Sequence, residues 1–202
     1  MVNPYRLRIL NELEPMLRAI APVDQVLDVG AGDGWFAMSV QSMGICKAVT
    51  AVDIMPRSQP YHLVEIYDGA RLPFRDGMFD LAYAVDVVHH SSDPSKLLTE
   101  MARCTKRYLL LKDHTWHTRI GWLALAAMDE IGNRRYGVPS IYNYQRGWEW
   151  DQILQKAGFR RREHVHPLSC HTRLLGRVTN SLQFLALWER GQPPSAASVS
   201  LQ

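Results

Sequence analysis

The chain has 202 residues, 47% of them apolar, and a formal net charge of +3. Such a length and composition suit one globular domain with a substantial core, here expected over residues 1–190 with a flexible tail over 191–202. The small charge, with no dense Lys/Arg cluster, argues against a nucleic-acid partner. In chain order, Leu7, Leu10, Leu13, Leu17 and Ile20 recur at helical spacing. Asn3 is placed to cap that helix, with Pro4 at its first position. Pro15 falls inside the run and predicts a kink or a break.

A buried parallel strand is predicted at Val26-Leu27-Asp28-Val29, because three of its four residues are branched and apolar. Gly30, Gly32 and Gly34 follow at alternate positions and lead into a helix expected from about Asp33. Glycines allow a tight turn and a close backbone approach to a ligand, and a helix start offers free N–H groups. The spacing departs from the dinucleotide fingerprint G-x-G-x-x-G: the third glycine arrives at the fourth position after the first, and Trp35 stands at the fifth. Asp28, two residues before Gly30, suits a cofactor with a cationic amino group better than a pyrophosphate.

A second β-branched run, Ala48 to Asp53, ends in an acid about 20 residues beyond the loop, where a carboxylate can take ribose hydroxyls. A third run, His62 to Tyr67, ends at Asp68-Gly69. Leu72-Pro73-Phe74-Arg75-Asp76-Gly77-Met78-Phe79-Asp80 leads into a fourth strand, Ala82 to Val88, followed by His89-His90. Asp93-Pro94 begins a helix through Leu97, Leu98 and Met101. From Val26 to Met101, this order of motifs resembles class I S-adenosylmethionine-dependent methyltransferases, most closely their ubiquinone/menaquinone methyltransferase-like branch. The resemblance implies a Rossmann-like α/β fold: a seven-stranded, mostly parallel sheet with helices on both faces. It implies S-adenosylmethionine as cofactor, with Asp28, Gly30, Gly32, Gly34, Asp53, Ile54, Asp68, Gly69 and Asp86 at its site. Asp86 also has an alternative role, bonding backbone groups of the loop after strand four. The implied activity is methyl transfer to a small-molecule acceptor. A nicotinamide-dependent oxidoreductase and a non-catalytic S-adenosylmethionine-binding protein are the alternatives.

Arg107 to Lys112 reads as a fifth strand, and Lys112-Asp113-His114 as its carboxyl end. His89, His90 and His114 are expected on loops at the ligand-binding end of the sheet. Histidine is the natural base near neutral pH, so His90 and His114 are the candidate catalytic residues. A helix is expected from Ile120 towards Gly132-Asn133, then an aromatic loop over 136–144 and a helix from Trp148 or Glu149 to Lys156. Residues 115–150 carry Trp116, Trp122, Tyr136, Tyr142, Tyr144, Trp148 and Trp150, which would suit a lid over a flat or apolar acceptor. Trp122 and Trp150 are the aromatics most expected in the core. Arg162 to Leu168 and Leu182 to Trp188 should close the sheet as an antiparallel hairpin, with a loop over 169–181.

No spacing of His, Cys, Asp and Glu matches a closed zinc site or H-E-x-x-H, and no metal is expected. Cys46, Cys104 and Cys170 form neither a disulfide framework nor a C-x-x-C pair, which fits a reducing cytoplasm. The charged first 18 residues do not read as a signal peptide. Ile120 to Met128 is too short to span a bilayer.

Overall fold

A computed structural model describes residues 3–133 and 140–191. Seven strands lie in one sheet, in the order β3 (Val64–Ile66), β2 (Cys46–Asp53), β1 (Val23–Val29), β4 (Phe79–Val85), β5 (Thr105–Trp116), β8 (Gln183–Arg190), β7 (Phe159–Val165). A two-residue β6 (Gln145–Arg146) pairs off this path with β5. The first five strands of the path run parallel, while β8 and β7 form the antiparallel edge. The order reverses between β1 and β4, and there the carboxyl ends of the strands leave a crevice.

Helices cover both faces. Successive strand residues point to opposite sides, so Val26 and Leu81 join one core with Ile9, Leu13 and Leu17 of α1 (Pro4–Ile20). Ala37 and Val40 of α2 (Trp35–Ser42) close that layer. Leu27 and Ala82 join the other core, with Leu98 and Met101 of α3 (Pro94–Cys104) and Trp150 and Leu154 of α5 (Glu149–Lys156). Burial on both faces explains why β1 reads as a nearly continuous apolar run.

Asn3 caps α1, its side chain accepting from the Tyr5 N–H at 2.9 Å, and Asp93 caps α3 through the Lys96 N–H at 2.9 Å. α1 runs unbroken through Pro15. Pro15 is exposed, so the carbonyl deprived of its partner lies on the water-facing side. α2 starts at Trp35, two residues later than expected, because Gly34 takes a left-handed conformation as its N-cap. β3 is only three residues long, at an edge that leaves Leu63 and Ile66 exposed. β7 begins earlier than expected, at Phe159, with an irregular register between Arg161 and Glu163. The expected loop over 169–181 contains α6 (Arg173–Thr179). Between β5 and β6 lies α4 (Arg119–Asn133). Residues 136–139 of the expected aromatic loop, Tyr136 among them, lie outside the described residues, as does the tail beyond residue 191. No described helix is long and apolar enough to cross a membrane.

Candidate active site

The turn after β1 is held by backbone pairing across the switch point. Gly30 and Ala31 donate their N–H groups to the Val52 carbonyl at 2.9 and 3.0 Å. Gly30, Gly32 and Gly34 all have positive φ, at 73°, 59° and 73°, which side chains disfavour. Their surroundings differ. A β-carbon on Gly30 would strike Val87, and one on Gly34 would meet His62 at 2.8 Å, whereas one on Gly32 would meet nothing within 4 Å. Gly32 therefore opens onto free space, as the floor of a ligand cradle should.

Asp53, at the end of β2, accepts the Gly32 N–H at 2.7 Å through Oδ2 and the Met55 N–H at 2.9 Å through Oδ1. It is 8% exposed and anchors the glycine turn while keeping lone pairs for a ligand. Asp68 lies exposed at the mouth, its Oδ1 accepting the Ala70 and Arg71 N–H groups. Those bonds hold its carboxyl below the usual range. Asp28 sits behind the turn, 2% exposed, with Oδ2 bonded to nothing among the described residues. Burial pushes its pKa up to about 7.

Asp86 ends β4 with φ 56°, a left-handed conformation that Asp tolerates better than most residues. Its Oδ2 accepts from the Tyr5 hydroxyl at 2.8 Å, and its Oδ1 pairs with the Lys112 ammonium. Lys112 is fully buried on β5 and also donates to Tyr5 Oη at 2.7 Å and Gln183 Oε1 at 2.6 Å. All three ammonium protons thus have an acceptor. Burial pushes the Asp86 carboxyl up, but Lys112 and His114 together hold it below the usual carboxylate range. Its alternative role, toward loop backbone, gives way to this side-chain network.

The next residues on the acceptor side are histidines. β5 extends to Trp116, so Lys112, Asp113 and His114 lie inside the strand, opposite Leu185, Phe184 and Gln183 of β8. His114 is thus a strand residue and not a loop residue. A side chain fixed on a sheet is held more rigidly than one on a loop. His89 and His90 form a short 3₁₀ turn after β4. Asp113 accepts from His89 Nδ1 at 2.5 Å, from the His114 N–H at 2.7 Å and, through Oδ2, from the Val88 N–H at 3.0 Å. His89 also has its Nε2 3.6 Å from Asp129 Oδ2, too far for a hydrogen bond. Tyr144 donates to that same Asp129 oxygen at 2.6 Å. Burial opposes charge on His89, yet Asp113 and Asp129 override it and raise its pKa to about 10. Asp113 is held well below the usual range despite its burial, chiefly by His89. Burial lowers His114 and brings His90 down to about 4, His90 also feeling the charge of His89.

One cleft of about 710 Å³ joins these parts, within the range of small-molecule and cofactor sites. Gly30, Gly32, Asp53, Ile54, Asp68 and Gly69 border it on one side; Asp86, His90 and His114 border it on the other. Asp28 and Gly34 lie behind the turn and do not border it. Sequence reasoning missed Tyr5, Arg6 and His171, which also border the cleft. Tyr5 stacks on His171 with ring centroids 4.9 Å apart, and Arg6 pairs with Asp33 at 2.7 Å. Nothing in their local sequence signals this, since α1 and the segment before α6 reach the site only through tertiary packing. The stretch 115–150 contributes Met128, Asp129 and Ile141 to the wall. Of its aromatics, Trp116, Trp122, Tyr142 and Tyr144 pack with Leu125 and Leu182 beside the cleft, and Trp150 is core.

Residues 27–108 match a family described as "Methyltransferase domain". Over 194 residues the chain is 26% identical to the sarcosine/dimethylglycine N-methyltransferase of Halorhodospira halochloris, covering 87% of this chain and 65% of that protein. Over 88 residues it is 38% identical to the malonyl-[acyl-carrier protein] O-methyltransferase of Erwinia billingiae, covering 40% of this chain and 34% of that one. The chain therefore spans less than two thirds of either relative. Among solved structures, an S-adenosylmethionine-dependent methyltransferase described from Listeria monocytogenes aligns with a TM-score of 0.66 at 15% identity, over 92% of this chain and 98% of that one.

Proposed function

We propose that this chain is a class I S-adenosylmethionine-dependent methyltransferase that transfers a methyl group to a small-molecule acceptor bound in the cleft between β4, β5 and α4, a reading supported by the match of residues 27–108 to a methyltransferase domain and by the fold. The observation that carries this reading is the convergence of Gly32, Asp53 and Asp68 with His90, His114 and Asp129 on one cavity. The residues fit the cofactor. Gly32 leaves space before the backbone, and Asp53 and Asp68 present carboxylates along one wall. In this reading, Gly30 and Gly32 let the backbone approach the methionine part while Asp28 acts from behind the turn and Gly34 shapes it. Asp53 accepts from the ribose hydroxyls, Ile54, Asp68 and Gly69 border the adenine, and Asp86 closes the far end.

When bound, S-adenosylmethionine supplies an activated methyl on a sulfonium. The protein's work is then to orient the acceptor and, where the acceptor carries a proton on its nucleophilic atom, to remove it. His114 and His90 border the acceptor side and are the candidate bases for that task. The whole of residues 1–190 acts as one such domain in this reading, with 115–150 as the acceptor wall. The acceptor is small and apolar or flat, in line with the aromatics of 115–150 and with the resemblance of Val26 to Met101 to the ubiquinone/menaquinone methyltransferase-like branch, and the setting is the cytoplasm.

Calorimetric titration with S-adenosylmethionine, S-adenosylhomocysteine and NADH tests the cofactor. Micromolar binding of both sulfur compounds is expected; binding of NADH alone would establish the oxidoreductase alternative. Release of S-adenosylhomocysteine is then followed with sarcosine, a malonyl thioester and a quinol as acceptors. Turnover with one class identifies the acceptor. Tight cofactor binding without turnover on any of them favours the non-catalytic alternative.

A further inference from the structure

We propose that His89, His90 and Asp129 form a binding site for one divalent transition-metal ion at the acceptor wall of the cleft. Each offers a ligand atom, and the three atoms lie within 4.8 Å of one another. All three residues border the cleft. His89 is 1% exposed, and its Nε2 has no hydrogen-bond partner among the described residues. His90 likewise has its Nδ1 buried and unpartnered. Buried polar atoms left without partners are uncommon, and each needs a reason.

The opposite edge of His89 supplies the reason. Asp113 is fixed as an acceptor by two backbone N–H groups, from Val88 and His114. His89 Nδ1, 2.5 Å away, must therefore carry the proton. His89 thus offers Nε2 as its ligand atom, facing an Asp129 oxygen 3.6 Å away. An ion entering this gap replaces the Nε2 proton and bonds to both groups. In a tetrahedral site with metal–ligand bonds of about 2.1 Å, neighbouring ligand atoms stand about 3.4 Å apart, close to the observed separation. The carboxylate behind His89 completes the carboxylate–histidine–metal arrangement that orients metal-binding imidazoles. Tyr144 fixes Asp129 in the same way, through its 2.6 Å bond. The second face of the cluster, toward Asp113 and His114, is already filled by protons and offers no such gap.

Two imidazoles and one carboxylate select borderline ions such as Zn²⁺, Fe²⁺, Co²⁺ or Ni²⁺ over Mg²⁺ or Ca²⁺. Three protein ligands leave coordination positions open, as in sites that bind an exogenous oxygen or sulfur ligand. An acceptor with such a donor atom fits that position. The ligands come from the turn after β4 and from α4, about 40 residues apart in the chain, so no local spacing motif announces them.

The test uses the full chain, stripped with chelator and titrated with Co²⁺ and Zn²⁺. One Co²⁺ per chain is expected, with the visible absorption bands of a nitrogen/oxygen-ligated ion and displacement by Zn²⁺. Asp129→Asn and His90→Ala should abolish these bands while S-adenosylhomocysteine binding and far-ultraviolet circular dichroism remain those of the parent. Asp113→Asn, which acts through His89, should weaken the ion by about 10- to 100-fold without abolishing it. A stripped protein that takes up no ion overturns the proposal. So do a folded Asp129→Asn and a folded His90→Ala variant that bind as well as the parent. Failure of cofactor binding in the parent would instead count against methyl transfer and leave the ion result standing on its own.

Discussion

A β-carbon placed on Gly30 would lie 2.4 Å from Val87 Cγ1 and 2.5 Å from its Cγ2. The turn after β1 and the turn after β4 are thus in direct contact at the switch point, and the first has no side chain because the second occupies that space. Gly30→Ala forces Val87 or the turn to move and also places alanine at φ 73°. Overpacking of this kind costs roughly 1–3 kcal/mol. Urea unfolding should show that loss, and adding Val87→Ala should recover part of it. A Gly30→Ala protein as stable as the parent refutes the close approach.

Gly32 predicts a different outcome from the same substitution type. Its β-carbon would project into open cleft, so Gly32→Val costs the fold chiefly the left-handed backbone penalty of about 1–2 kcal/mol. Cofactor binding should fall by more than tenfold, as read by calorimetry with S-adenosylhomocysteine. Normal affinity in this variant would move the cofactor away from the glycine turn.

The Lys112–Asp86 pair should behave as a buried ion pair. Lys112→Met leaves the Asp86 carboxylate and the Tyr5 hydroxyl without their buried donor. Removing one partner of such a pair costs about 3–5 kcal/mol. The double variant Lys112→Met, Asp86→Asn should be more stable than Lys112→Met alone. A double variant less stable than the single one would show that the charge is not what the network answers.

Asp28 gives a pH dependence of defined sign. Its folded pKa, about 7, lies above the ordinary carboxylate value. Between about pH 4 and pH 7 the folded state therefore holds a proton that the unfolded state has released. Stability from this group falls as pH rises through that window and levels off above it, by about 4 kcal/mol in all. Asp28→Asn does not titrate, so its stability relative to the parent should grow from pH 4 to pH 8. A difference that stays constant over that range shows that Asp28 is ionised throughout.

Much of this architecture is legible in the chain because the features are local. The glycine turn, the acids at the ends of β1 and β2 and the caps Asn3 and Asp93 all follow from short-range constraints on backbone and hydrogen bonding. Tyr5, Arg6, His171 and Asp129 are not legible in that way. Each reaches the cleft because distant elements pack together, and α1 looks like any amphipathic helix before that packing is known. The sequence reading puts His114 on a loop because Lys112-Asp113-His114 reads as the end of the fifth strand, whereas β5 runs on to Trp116. Here β8 pairs with β5 through Gln183, and a salt-bridged network pays for burying those polar side chains within the strand.

Tyr5 and Arg6 are consecutive on α1, yet they grip opposite banks of the cleft: Tyr5 holds Asp86 after β4, and Arg6 holds Asp33 after β1. The two ties differ in exposure, the Arg6–Asp33 side chains being 30% and 26% exposed and the Tyr5 tie packed against buried Lys112. Mobile ions weaken the first and scarcely reach the second. The helix is thus a hasp with one loose fastening. Opening of the cleft on the Arg6 side should therefore respond to ionic strength more than opening on the Tyr5 side.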